Sequence, residues 1–164
     1  MKQLILILLS IVFLASCDRD DPNKIFQEQL DVDVAEIQLF LSENNITATK
    51  DPSGVFYKID EEGSGDHPSA GSFVSMAYEG RLMDGTVFDS ASLTNPLKSF
   101  LYNLITGWQI GVPKFKKGGK GTLYIPSGYA YGTSGTSGIP GNSVLIFDVE
   151  LLDFNEKKIN LPDA

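Results

Sequence analysis

Residues Val144 to Leu152 alternate apolar and polar side chains in a way that only an extended strand can use. Leu145, Phe147, Val149 and Leu151 fall on one face, Asp148 and Glu150 on the other. A strand with one apolar face needs neighbours to pair with and a layer to cover it. The neighbours are legible. Val55–Ile59 reads as a short strand after the turn Asp51-Pro52-Ser53-Gly54. Phe73–Tyr78 puts Val74, Met76 and Tyr78 on one face. Gly121–Ile125 does the same with Leu123 and Ile125, and Leu97–Leu101, led in by Pro96, adds another strand. The apolar segment Ile105–Val112, bounded by Pro113, has room for two helical turns with Thr106 as N-cap. These runs predict an α+β domain with a single antiparallel sheet and one face to cover.

The stretch Tyr78–Ser90 reads as strand, turn, strand and then a carboxylate. Asp84-Gly85 is the signal of a type I′ hairpin turn. The turn brings the phenol of Tyr78 towards Phe88 and Asp89. Lys114–Lys120 is a basic turn. Within it Lys117-Gly118-Gly119-Lys120 lacks the spacing of a phosphate-binding loop. Upstream, Leu30, Val34, Ile37 and Leu41 fall at helical spacing, and Asp33 with Glu36 fits a capping box. With Asn44-Asn45 as stop residues, this predicts an amphipathic helix over Asp33–Glu43. Its apolar face fits either the domain or a second copy of the chain.

Met1–Ser16 has a positive start at Lys2 and an apolar run from Leu4 to Ala15, too short to span a bilayer. It ends in Leu14-Ala15-Ser16-Cys17, which resembles a bacterial lipoprotein signal, with Cys17 as the lipidated first residue of the mature chain. Cys17 is also the one cysteine in the sequence, which rules out an intramolecular disulfide. The predicted organisation is a signal peptide over 1–16, a lipidated Cys and acidic tether over 17–32 and the helix with its connector over 33–50. The domain follows over 51–156, then a tail over 157–164. Such a protein is membrane-attached through its lipid and faces outside the cytoplasm, where nucleotide cofactors are absent.

A formal net charge of -8 argues against nucleic acid as a partner. The chain has one histidine, His67, in a loop, so histidine triads, thiol catalysis and histidine-rich zinc sites lack their parts. An enzyme built from this sequence works without nucleophile, metal or cofactor. Prolyl isomerisation suits that description. The X-Pro amide resists rotation with a barrier of about 18–20 kcal/mol because it is conjugated. The planar form is the more charge-separated one, so an apolar pocket disfavours it relative to the twisted transition state.

From Pro52 to Phe154 the sequence resembles the FKBP-type peptidyl-prolyl isomerases. The resemblance rests on a colinear set of motifs. These are Tyr78-x-Gly80, Asp84-Gly85-x-x-Phe88-Asp89-Ser90, Gly107-Trp108-x-x-Gly111 and Ile125-Pro126. Tyr129-Ala130-Tyr131-Gly132, Gly138-Ile139-Pro140 and Leu145-x-Phe147-Asp148-Val149-Glu150-Leu151 complete it. It implies a curved antiparallel half-barrel wrapped around a short helix, needing no cofactor and acting on proline-containing unfolded or exported polypeptides. By that resemblance the substrate proline rests on Trp108. Tyr78, Phe88, Leu97, Leu104, Ile105 and Phe147 form the walls, and Ile139 lines a loop above them. The Tyr131 hydroxyl and Ile105 N–H bind the substrate backbone. Asp89, fixed by Tyr78, faces the twisting carbonyl in an electrostatic role. Tyr78, Asp89 and Tyr131 are thus the expected catalytic groups. Leu97 stands where the family often has Phe, and the Thr133–Ser137 loop lacks a histidine common there. The order lipobox, helix, domain is similar to exported lipoproteins of Bacteroidetes-type bacteria, some of them associated with gliding motility. A non-catalytic binding module and a part of a surface machine are the other roles such a domain allows.

Overall fold

The computed structural model describes residues 21–155. The leader, Cys17 and the 157–164 tail lie outside them. The sheet is built on two long strands. β3 (Phe73–Leu82) pairs antiparallel with β7 (Leu145–Asn155) along its whole length, from Phe73 opposite Asn155 to Leu82 opposite Leu145. The remaining strands are β1 (Thr49–Lys50), β2 (Phe56–Glu61), β4 (Val87–Ala91), β5 (Leu97–Phe100) and β6 (Lys120–Ile125). The sheet order is β1-β2-β6-β7-β3-β4. Both β4 and β5 use the free edge of β3: β5 takes Phe73–Met76 and β4 takes Tyr78–Arg81.

The concave face buries Val74, Met76, Leu123, Leu145, Val149 and Leu151 against the short helix α2 (Thr106–Gly111), which contributes Trp108 and leads into Val112. The helix lies very close to β6. A Cβ on Gly107 would sit 2.2 Å from Cγ2 of Ile125, and one on Gly111 would sit 2.6 Å from Cδ2 of Leu123. Each glycine weakens an isolated helix by about 1 kcal/mol relative to alanine. Their spacing puts both on one face, so the helix can seat against the strand. Thr106 is not the N-cap. Ile105 occupies that position in extended conformation, and no side chain caps the helix.

Several expectations about the rest of the fold need correcting. The sheet has two faces to cover. Ile37 and Leu41 of the N-terminal helix α1 (Pro22–Glu43) pack on the outer face against Phe56, Tyr124, Val144 and Ile146. The alternating pattern of β7 therefore omits Ile146, which is buried on the face that carries Asp148 and Glu150 elsewhere along the strand. Helix α1 also begins at Pro22, so the predicted tether is helical from there on. Its N-cap is Asp21, which accepts the Asn23 N–H at 3.0 Å, and Pro22 suits the first helical position because its missing N–H would be unpaired there. Asp33, the expected cap, lies mid-helix and fully buried. The expected stop at Asn44-Asn45 is correct. Asn45 adopts φ 55°, and the Ile46 and Asn45 N–H groups donate to Leu41 and Ser42 carbonyls in a Schellman arrangement.

The Asp84-Gly85 hairpin is not type I′, which requires positive φ at both central residues. Only Gly85 has it, at 87°. The Gly85 N–H closes a turn on the Leu82 carbonyl, and Asp84 Oδ1 accepts the Thr86 N–H at 2.8 Å. Two lysines of the basic turn pair with acids, Lys116 with Glu62 just past β2 and Lys117 with Asp153 of β7.

Helix α1 adds to the stability of the domain through Ile37, which is wholly buried. Ile37→Ala should destabilise the chain by about 2–5 kcal/mol in urea unfolding, as expected for deleting buried methyl groups. A change within about 0.5 kcal/mol of wild type would show that the helix rests on the sheet without stabilising it.

Candidate functional site

Neighbouring residues on a strand normally face opposite sides of the sheet, so Phe88 and Asp89 should not both look inward. A β-bulge makes them do so. Asp89 pairs with Gly80 and Val87 with Arg81, which leaves Phe88 as the extra residue. A bulge sets two residues against one and bends the strand. Gly80 supplies the room, since a Cβ there would lie 2.7 Å from the Phe88 ring and 2.7 Å from Cε1 of Phe147.

The result is a cup of about 410 Å³ between the concave sheet and the start of α2. Its lining comprises Tyr78, Phe88, Asp89, Leu97, Asn103, Leu104, Ile105, Trp108, Tyr131 and Phe147. Trp108 and Phe147 are buried at 3% and 4% exposure, whereas Tyr131 is 40% exposed. The rings meet edge to face. Centroid distances are 5.0 Å for Tyr78–Trp108, 5.2 Å for Trp108–Phe147 and 5.6 Å for Phe88–Phe147. Such contacts hold the rings at fixed angles, because the positive edge of one meets the negative face of the next.

One side of the cup is polar. The Tyr78 hydroxyl donates to Asp89 Oδ2 at 2.5 Å, and the Ser90 N–H donates to Asp89 Oδ1 at 2.9 Å. Both carboxylate oxygens are therefore oriented at an exposed rim. Burial, and then the hydrogen bond and charge of Asp89, push the Tyr78 phenol well above its ordinary pKa, so it stays a donor at neutral pH. The Ile105 N–H, at the uncapped start of α2, has no backbone acceptor among the described residues. The Trp108 Nε1–H is buried and also lacks an acceptor among them. Among the described residues no cluster of three His, Cys, Asp or Glu side chains could hold a metal ion. This cup can grip an extended apolar group with backbone polar atoms.

Of the residues singled out in the sequence, Tyr78, Phe88, Asp89, Leu97, Leu104, Ile105, Trp108, Tyr131 and Phe147 line this one cup. Ile139 does not. The Thr136 and Ile139 backbones bond to each other, which folds the loop back and buries the Ile139 side chain in the core at 5% exposure. Asn103 is the lining residue that the sequence reading missed. It ends a 3₁₀ turn, Leu101–Asn103, where no periodicity marks which side chain faces a pocket. A larger depression of about 670 Å³ lies against Ala77, Leu93 and Gly121. Its rim acids are held in ion pairs, Glu61 and Glu150 with Lys120 and Asp148 with Arg81.

Known proteins resemble this chain in sequence and in fold. The family model described as FKBP-type peptidyl-prolyl cis-trans isomerase matches residues 65–152. The chain is 42% identical over 133 residues to the probable FKBP-type peptidyl-prolyl cis-trans isomerase FkpA of Neisseria meningitidis serogroup B, covering 77% of this chain and 46% of that protein. The fold matches the crystal structure of FkpA from Escherichia coli with a TM-score of 0.69 and 34% identity, over 82% of this chain and 64% of that one. It also matches a peptidyl-prolyl cis-trans isomerase from Pseudomonas syringae pv. tomato, with a TM-score of 0.66 and 28% identity, over 84% of this chain and 98% of that one. The chain spans less than half the length of the two FkpA proteins from Neisseria meningitidis and Escherichia coli K12.

The environment of Tyr78 has a consequence at high pH. Tyr78 and Tyr124 both have raised phenol pKa values, each chiefly through burial. In the unfolded chain a phenol ionises near about pH 10. Above that pH the folded state keeps protons that the unfolded state has lost, so this share of stability is full below pH 10 and declines above it. Titration of tyrosinate absorbance should show Tyr78 and Tyr124 ionising late, and Tyr78→Phe should take one phenol out of that late step. A Tyr78 that ionises near its ordinary pKa would contradict its burial and its bond to Asp89.

Proposed function

Because the chain belongs to the FKBP-type peptidyl-prolyl cis-trans isomerase family, we propose that its cup catalyses rotation about X-Pro bonds in extended polypeptides. One observation carries the reading. Tyr78, Phe88, Asp89, Trp108, Tyr131 and Phe147 come from five separate parts of the chain and converge on one apolar cup with one oriented carboxylate.

The proline ring packs on Trp108 between Phe88 and Phe147, out of water. Removal from water weakens the charge-separated planar amide more than the twisted form, which has lost that resonance. The Tyr131 hydroxyl and the Ile105 N–H donate to carbonyls of the bound backbone and fix the segment on either side of the rotating bond. Asp89, with both oxygens held, contributes a fixed negative field at the rim, beside the carbonyl that turns. No proton moves and no covalent bond forms. The rate gain comes from polar groups already oriented for the transition state.

The substrates on this reading are unfolded or exported proteins, met outside the cytoplasm. Leu14-Ala15-Ser16-Cys17 supports attachment to a membrane by a lipid on Cys17. Among the described residues no helix is long and apolar enough to cross one. Cys17→Ser should leave the protein unlipidated by mass spectrometry and release it from the membrane fraction. Release of neither kind would remove the anchor from this reading.

The catalytic reading is tested by isomerisation of proline peptides. Asp89→Ala and Tyr131→Phe should each lower kcat/KM by about tenfold, a loss of about 1.4 kcal/mol of transition-state stabilisation. A wild-type protein that binds peptide without accelerating isomerisation would instead be a binding module.

A further inference from the structure

Helix α1 carries a buried carboxylate for which the fold alone gives no reason. Asp33 is fully buried in mid-helix and has no cationic partner among the described residues' ion pairs. A bare buried carboxylate is strongly unfavourable unless donors replace its water. Three do so. Gln29 Nε2 donates to Oδ1 at 2.7 Å, while the Ser127 N–H and Oγ–H donate to Oδ2 at 2.7 Å and 2.6 Å. Two of these bonds cross to a residue 94 positions away in sequence.

Ser127 is in turn a hub. Its carbonyl accepts the N–H of Ala130 and the N–H of Gly132, both at 2.9 Å. These residues flank Tyr131, which lines the cup. Phe26 of the same helix braces the segment, meeting Tyr129 edge to face at 5.5 Å. It also lies so near Gly128 that a Cβ there would come within 2.6 Å of its ring. A two-bond path therefore runs from the helix to both sides of one wall of the cup: Asp33 to Ser127, and Ser127 to the N–H groups of the residues on either side of Tyr131.

We propose that Asp33 is a positioning residue for Tyr131, so that helix α1 holds part of the binding cup in register as well as covering the sheet. The catalytic half of this statement rests on the isomerase reading above; the positional half does not. A serine hydroxyl or a water could cap the Ser127 turn locally. A carboxylate projected from α1 instead ties the placement of that turn to the seating of the helix.

The test uses the whole chain with two independent readouts. Amide hydrogen exchange reports on position without requiring activity. In Asp33→Asn the Ala130 and Gly132 amides should exchange about tenfold faster, while amides of the β3–β7 ladder keep wild-type rates. Isomerisation reports on function through a double-mutant cycle. Asp33→Asn should lower kcat/KM about threefold to tenfold alone but have no further effect in a Tyr131→Phe background. Ser127→Ala, which keeps the backbone bond and removes only the hydroxyl, should give smaller effects in the same direction and covers the case of a poorly folding Asp33 variant. Unchanged exchange at both amides in both variants would overturn the proposal. So would equal activity losses with and without the Tyr131 hydroxyl, which would make Asp33 a stabilising residue only. If wild type shows no isomerisation, the exchange result still decides the positional claim, and the isomerase reading fails separately.

Discussion

The close seating of α2 on β6 is the contact on which the rest of this structure depends. A curved antiparallel sheet presents an apolar concave surface that a normal helix would cover at a distance set by its side chains. Gly107 and Gly111 remove the side chains from that interface, and Ile125 and Leu123 occupy the space directly. Trp108, between the two glycines, is thereby driven down among the strands and becomes nearly inaccessible. Its ring gives Tyr78 and Phe147 a fixed surface to meet edge to face. Lifting the helix by one side chain would open the floor of the cup and separate these rings.

The walls follow from a second constraint, the bulge at Phe88. A regular β4 would send either Phe88 or Asp89 away from the cup. The extra residue lets a ring and a carboxylate that adjoin in sequence serve the same cavity. Gly80 on β3 is the partner that makes this possible, because two aromatic rings occupy the place of its missing side chain. The polar rim then assembles from opposite sides: Asp89 with Tyr78 from the sheet, Ile105 from the helix start, and Tyr131 from the loop that Ser127 organises. An apolar floor with a fixed carboxylate and a few donors suits a reaction whose difficulty is lost conjugation rather than bond cleavage.

Much of this was legible in the sequence because strands and motifs leave local traces. The alternation along Leu145–Leu151 declared β7, and the spacing of Val74, Met76 and Tyr78 declared β3. The motif resemblance placed Trp108 at the start of α2 and paired Tyr78 with Asp89, and the hydrogen bond between these two is present. The failures are also local in origin. Asp33 has the chemistry of a helix cap, and pattern reasoning put it at a helix start. Its real partner lies on a turn far along the chain, which no window of residues contains. Pro22 and the charges around it read as a tether, although proline also opens helices. The motif places Ile139 in a loop over the pocket, yet the backbone pairing of its own loop turns it into the core.

By itself, then, the sequence determined every strand but the two-residue β1, the short helix, the family and nearly every side chain of the cup. Hydrophobic period and motif spacing are properties of neighbouring residues and survive in a linear reading. Only the tertiary structure decided how those side chains meet: that a bulge turns Phe88 and Asp89 to one side, that α1 covers the outer face through Ile37, and that a buried Asp33 holds the turn beside Tyr131. Each of these depends on groups far apart in the chain, whose pairing is set by shape and by the cost of burying a charge without donors.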